Sequence, residues 1–310
     1  MNNIIVNNNN INVANVSTDK QIAYISDIHG EADKLEEIIG ILKELKITAL
    51  LLGGDLIDST KDTVRNARIK ELLQELSETT KIFIGLGNHD MTYFDRNSTN
   101  RCHAVPSIDT KYWSSLNSIN NIYVSTPPID APTITTWSLD KDIDITALNL
   151  PTTHYINNEP EEEFRDFLKI LEEAKINIEK YNILLCHSPI NIGKDSIMKE
   201  YAQYLKKFNL ILAGHMHGGL VPRMFRKDSY GRGIAGPNNT FLPEYAYGIK
   251  IFGNTKIVVS GGVVKMATSA APEIITTNSI YRGIGDIVYP PEIEMFYIES
   301  NENPEKSILI

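Results

Sequence analysis

Short apolar runs that stop at small or charged residues alternate with amphipathic stretches along the first part of the chain. Residues 22–26 form an apolar run ending at Asp27-Ile28-His29-Gly30, the pattern of a buried strand that opens into a loop. Leu35, Ile38, Ile39, Leu42 and Leu45 then recur at helical spacing, with Lys and Glu between them. A strand over 50–53 ends at Gly54-Asp55, and a second amphipathic helix carries Leu72, Leu73 and Leu76. A third strand over 82–86 ends at Gly87-Asn88-His89-Asp90. Strand, polar loop and helix in repetition predict parallel strands joined by crossover helices.

Beyond residue 118 the pattern changes. Three runs, 122–125, 134–139 and 143–150, read as successive strands separated by Pro and Asp turns. Helical spacing returns at Phe164, Phe167, Leu168 and Leu171, behind an acidic first turn that suits the helix dipole. Strands over 183–186 and 210–213 end at His187 and at Gly214-His215-Met216-His217. Residues 218–246, rich in Gly, Pro, Arg and Asn, read as a long loop near the site, and strands over 249–252, 257–260 and 295–298 close the chain. At the start, apolar runs at 4–6 and 11–16 flank four asparagines, which predicts a hairpin or an extended lead-in over 1–20. With no fixed-period repeat and no linker, a single domain over 1–310 is expected.

Composition narrows the function classes. Lys and Arg number 30 against 39 Asp and Glu, a net charge of −9. That balance argues against nonspecific nucleic acid binding and against an anionic membrane surface, yet leaves room for a phosphate substrate at a local cation. Two cysteines, Cys102 and Cys186, are too few for a disulfide scaffold or a thiolate cage. No basic start followed by an apolar run resembles a signal peptide, and no apolar stretch approaches the ~20 residues of a membrane span. A cytoplasmic location is the expectation.

Five of the seven histidines lie in the motifs at predicted strand ends. Open α/β sheets bind ligands at the carboxyl ends of their strands, so these side chains should converge although they are far apart in sequence. Carboxylate, imidazole and amide oxygen without thiolate suit divalent Mn, Fe, Zn, Co or Ni. If the segment after the first strand is extended, Asp27 and His29 point the same way and Ile28 faces the core. The glycines before Asp55 and His215 leave room for tight turns. Asp58 reads as a cap or turn residue. His103 and His154 read as ordinary surface or loop residues, and Cys186 as core-facing and inert. The pattern Gly231-Arg232-Gly233-Ile234-Ala235-Gly236 matches a dinucleotide fingerprint, but it follows no apolar strand and leads into no helix, so that reading fails.

The five motifs, in this order and spacing from about residue 22 to residue 219, resemble the calcineurin-like metallophosphoesterase superfamily. The endings Gly214-His215-Met216-His217-Gly218-Gly219 and Pro290-Pro291-Glu292-Ile293 resemble its bacterial stand-alone phosphodiesterase-type members. The resemblance implies a four-layer α/β/β/α sandwich with mixed sheets. It implies two divalent ions, one on Asp27, His29, Asp55 and His217 and the other on Asp55, Asn88, His187 and His215, with Asp55 bridging. Such a pair, ~3.5–4 Å apart, would share a hydroxide that attacks a phosphate ester in line. His89 would then assist the leaving group as a catalytic residue, and Asp90 would orient that imidazole. Arg223 and Arg226, in the long loop, are candidates for contact with the substrate phosphate.

The expected activity is metal-dependent hydrolysis of a small-molecule phosphate ester, a diester in preference to a monoester. The protein phosphatase branch carries an Arg-Gly pair after the bridging motif, where this chain has Asp58-Ser59. The alternatives are a metal-dependent nuclease of the DNA-repair branch, against which the acidic balance counts, and a non-catalytic scaffold of the same fold, against which the intact motif set counts.

Overall fold

The computed structural model describes residues 4–13, 16–17, 19–94, 104–156, 170–189, 204–226, 231–237, 241–264 and 289–300. Two six-stranded mixed sheets face each other. The first has the order β1 (Ile5–Val13), β14 (Glu292–Ser300), β2 (Lys20–Ile25), β3 (Ala49–Gly53), β4 (Lys81–Gly85) and β7 (Ile122–Val124). The second runs β12 (Gly248–Phe252), β13 (Thr255–Val259), β11 (Leu210–Ala213), β10 (Tyr181–Cys186), β9 (Ile143–Asn149) and β8 (Thr133–Ser138). A small hairpin pairs β5 (Thr92–Phe94) with β6 (Ala104–Pro106).

The two-residue period of a strand divides its side chains between two cores. Ile22, Tyr24, Leu51 and Phe83 point into the space between the sheets, where they meet Ile145, Ile183, Leu185 and Leu212. The intervening Ala23, Ile25, Leu50 and Leu52 face outward against Leu35, Ile38 and Leu42 of α1 (Ala32–Leu45) and Ile69 and Leu73 of α2 (Thr63–Ser77). On the far side, Leu171, Leu205 and Phe208 lie in the same buried cluster as Leu184, Cys186 and Ile211. The architecture is therefore the layered α/β form with mixed sheets that the family resemblance implies. Strands β2, β3 and β4 run parallel, as do β9, β10, β11 and β13, so the carboxyl ends of β2–β4 and of β10–β11 carry the motif loops.

Three features refine the sequence expectation. Of the two readings of the lead-in, the extended one holds: the asparagine run lies inside β1, paired in parallel with β14. Asparagine is a poor strand former because its amide must find partners. Here Asn7 and Asn9 donate to Glu294 at 2.8 and 3.3 Å, and Lys256 donates to Asn9 at 2.9 Å, so the buried amide of Asn9 is satisfied. The three strands predicted over 122–150 divide between the sheets: β7 closes the edge of the first, while β8 and β9 are an antiparallel pair in the second. Two short helices escaped the periodicity argument, α3 (Thr110–Asn117), capped by the Asp109 side chain and burying Trp113 and Leu116, and α4 (Thr152–Ile156). Of the helix expected around Phe164, Phe167, Leu168 and Leu171, only the end from residue 170 lies within the described residues. His103 and Cys102 lie outside them.

Candidate metal centre

The loops after β2, β3 and β4 are tied to one another by main-chain hydrogen bonds. Asp27 N donates to Gly54 O at 3.0 Å, and Ile28 N and His29 N both donate to Asp55 O, at 2.8 and 2.9 Å. His89 N donates to the Asp55 carboxylate at 2.8 Å. From the second sheet, His215 N donates to both carboxylate oxygens of Asp27 at 3.1 Å, which joins the two sheets across the site.

The side chains converge through backbone strain, not through an extended segment. Asp27, His29, Asp55, His215 and His217 all have φ between +47° and +67°. Non-glycine residues seldom adopt this left-handed region, and such strain gathers at functional sites. Ile28 is buried as expected, but Asp27 and His29 reach the same place because each sits on a left-handed kink. Glycines make the close approach possible. Gly54 has φ +95°, and a Cβ there would lie 2.6 Å from His187 Nδ1; at Gly214 it would lie 2.5 Å from Asp27 Oδ2.

Among the described residues, three groupings of potential ligand atoms result: Asp27, His29 and His217; Asp55, His187 and His215; and His29, Asp55 and His89. Asp55 Oδ2 lies 3.1 Å from His187 Nε2 and 3.7 Å from His29 Nε2, between the first two groups. His217 Nε2 is 3.7 Å from Asp27 Oδ1. Asp27, Asp55 and His187 are almost wholly shielded from solvent. Yet both ring nitrogens of His29, Nε2 of His187 and Oδ1 of Asn88 are buried without a hydrogen bond. Buried polar atoms are normally satisfied, so the orphan nitrogens of His29 and His187, converging with two carboxylates, fit divalent cations. The remaining imidazole nitrogens are held as ligand histidines usually are: His187 Nδ1 donates to Gly53 O at 2.8 Å, and His217 Nδ1 to Val264 O.

Electrostatics sort the ionisable groups. Burial alone would raise Asp55, but the imidazoles of His187, His89 and His29 hold it well below the usual carboxylate range. Burial would lower His187, but Asp55 beside it pushes it up to about 9. Burial brings His217 down to about 4 and, with His187 adding repulsion, takes His215 well below its ordinary value. Both are thus neutral at pH 7, the state in which imidazole binds a cation.

His89 is buried beside the first group. Its ring is edge-on to His29 at 4.4 Å, and its Nδ1 lies 3.1 Å from the carbonyl and 3.4 Å from the carboxylate of Asp58. Burial works against its charge, but Asp55 and Asp58 outweigh that and hold it at about 9. Asp58 is therefore more than a turn residue: it also lies 3.5 Å from His29 Nδ1. Its spacing, one turn past Asp55, was visible, but not which imidazoles it meets. Asp90, by contrast, bonds to the main chain of the loops. Its carboxylate accepts from Gly87 N at 2.8 Å and Ile57 N at 3.0 Å, so it braces the loop, and burial raises it to about 7.

The two loop arginines differ in setting. Arg226 is buried, with Nη1 bound to Glu292 at 2.8 Å and Nε to Val221 O at 2.8 Å. Arg223 is half-buried and opens the short turn Arg223–Phe225 beside it. Tyr155 is a site residue that the sequence concealed: its buried ring lies 5.2 Å from His215 and 6.1 Å from His187. Nothing in the local pattern distinguishes it from other tyrosines. Cys186 is buried as expected, its thiol pushed up to about 12 by burial.

The model of the calcineurin-like phosphoesterase family matches residues 20–219, the segment that carries every one of the clustered ligand candidates. The chain belongs to the calcineurin-like phosphoesterases. It is a phosphoric ester hydrolase by family. Among solved structures, this phosphoesterase is similar to TT1561 of Thermus thermophilus, at 15% identity over 79% of this chain and 90% of that one, with a TM-score of 0.44. It is also similar to a dimetal phosphatase from Danio rerio, at 11% identity over 80% and 89%, TM-score 0.43. A third is an archaeal phosphodiesterase, at 11% identity over 80% and 87%, TM-score 0.37. None of the curated proteins compared matches the chain. No helix among the described residues is long and apolar enough to cross a membrane.

Proposed function

We propose that this phosphoesterase is a two-metal phosphodiesterase acting on a small phosphate diester. Asp27, His29, Asp55 and His217 would hold one ion, and Asp55, Asn88, His187 and His215 the other. The observation that carries the reading is the position of Asp55 between two carboxylate–imidazole groups whose neighbours include buried polar atoms with no hydrogen bond. When bound, such ions supply a water activated near neutral pH and positive charge for the phosphoryl oxygens.

The chain's own groups do the rest. Asp58 accepts from His89 Nδ1 through its carbonyl and supports the imidazolium through its carboxylate. That leaves the Nε2 proton for the departing ester oxygen, so His89 acts as the general acid. Asp90 holds the Gly87–Asn88 turn through Gly87 N, and Asn88 would turn to the cluster from it while its neighbour His89 meets Asp58. Asp58-Ser59 stands where the protein phosphatase branch carries its Arg-Gly pair, which supports a small-molecule ester over a phosphoprotein.

The test is uptake of Mn by the purified, chelator-treated chain, followed by turnover of a chromogenic diester and its monoester. Two ions per chain and faster diester hydrolysis are expected. A single ion at saturation would refute the two-metal assignment, and faster monoester turnover would refute the substrate class.

A further inference from the structure

Beyond the family-matched segment, which ends at residue 219, the chain returns to the site twice. Residues 260–264 run along the kink after β2. Val263 N donates to Ser26 O and Val264 N to Asp27 O, each at 2.9 Å, and a Cβ on Gly262 would lie 2.8 Å from that of Asp27. The carbonyl of Val264 is the acceptor for His217 Nδ1. The second return is the start of β14. Glu292 N donates to Gly262 O at 3.2 Å, Glu292 Oε2 accepts from Gly261 N at 3.2 Å, and Glu292 Oε1 accepts from Arg226 Nη1 at 2.8 Å.

Arg226 completes the circuit. Its Nε donates to Val221 O at 2.8 Å, and its guanidinium lies against the Gly218 backbone, where a Cβ would come within 2.5 Å of Nη1. Its side chain and that of Glu292 are only 3% and 6% exposed. So His217 is gripped from two sides. One side is the left-handed turn Gly218-Gly219 above Arg226; the other is the strap whose carbonyl takes its ring proton, anchored by Glu292.

We propose that Arg226 and Glu292 form a positioning pair for His217, and so set the affinity of the Asp27–His29–His217 position while leaving that of Asp55–His187–His215 alone. The assignment rests on the two-metal reading above. For stability alone, a buried ion pair can often be replaced by apolar residues of similar volume without loss. What such a replacement cannot supply here is the hydrogen bond to Gly261 and the planar fork between Val221 and Glu292. Partners behind metal ligands typically contribute 10–100-fold in metal affinity.

The experiment is titration of the full-length chain with Co²⁺ alone, followed by visible absorption, with thermal melting in parallel. Wild type should take up two ions with two resolvable components. Glu292→Gln should bind one ion unchanged and the other about 10–100-fold more weakly. The weakened component should be the one that His217→Ala removes. Arg226→Lys, which keeps a cation, should recover part of the affinity that Arg226→Met loses. The double variant Arg226→Met with Glu292→Leu keeps the core filled and should melt near wild type while still binding that ion weakly. Wild-type affinity for both ions in Glu292→Gln or in the double variant would overturn the assignment. So would equal weakening of both ions in step with the melting temperature. A wild-type chain that binds fewer than two ions would instead overturn the two-metal reading beneath it.

Discussion

At the ends of β2, β3 and β4, the site residues are held by main-chain bonds from loop to loop: Asp27 N to Gly54, His29 N to Asp55, His89 N to the Asp55 side chain. At the ends of β10 and β11, the imidazoles are instead fixed by distant carbonyls, His187 by Gly53 and His217 by Val264, and by the ring of Tyr155 beside His215. The first half is short motifs bracing one another within a single run of parallel strands. The second borrows its rigidity from segments up to 134 residues away in sequence. The contrast shows why one half is compact in sequence and the other dispersed. Adjacent parallel strands bring their loops together directly, while imidazoles arriving from the facing sheet need second partners to fix their ring orientation.

The largest effect is expected of Asp55→Ala. Asp55 belongs to the first half but lies between both ligand groups, so the variant should lose affinity for both ions and essentially all turnover, whereas His215→Ala should weaken one ion only. Elemental analysis after equilibrium dialysis distinguishes them, and retention of one tight ion by Asp55→Ala would show that the carboxylate does not bridge. Next in size is His89→Ala, which should keep both ions and lose about 10²–10⁴ in turnover. The loss should be greater for an alkoxide leaving group than for nitrophenolate. If the variant instead drops an ion, the grouping of His29, Asp55 and His89 is a binding position and His89 a ligand.

Asp58→Asn should have a smaller effect, within about tenfold at neutral pH, and is read best in the pH profile. Asp58 helps to hold His89 at about 9, and an acid must be protonated to act. Removing the carboxylate lowers that value, so the alkaline limb of kcat/KM should move to lower pH; an unmoved limb would exclude Asp58 as the support for His89. The smallest effect expected is on stability, from His154, beside Tyr155 on the second-sheet side. Burial lowers His154 to about 4 from its ordinary 6.5. The unfolded chain then takes up this proton first as pH falls, so stability is full above about 6.5 and declines toward about 4. His154→Gln should flatten the melting temperature across that window, and an unchanged slope would show that other groups dominate it.

Much of this molecule was legible in its one-dimensional pattern. Alternating apolar runs and helical spacing predicted the strands β2, β3, β4, β10 and β11, and the parallel course of the first three, because a half-buried or fully buried strand must repeat its apolar positions to fill a core. The strand-end motifs predicted which carboxylates and imidazoles would gather, because parallel strands deliver their carboxyl ends to one edge of a sheet. The sequence did not show how they gather. Left-handed backbone at Asp27, His29, Asp55, His215 and His217 has no residue signature, since none of them is a glycine. The same holds for partner choice among like residues. Arg226 and Arg223 look equivalent in the chain, and so do Asp58 and Asp90 beside their motifs. Only packing decided that Glu292, 66 positions on, buries Arg226, and that Asp58, not Asp90, meets His89. Periodicity records whether a side chain faces a core, but a hydrogen bond or ion pair depends on which distant backbone folding brings within about 3 Å.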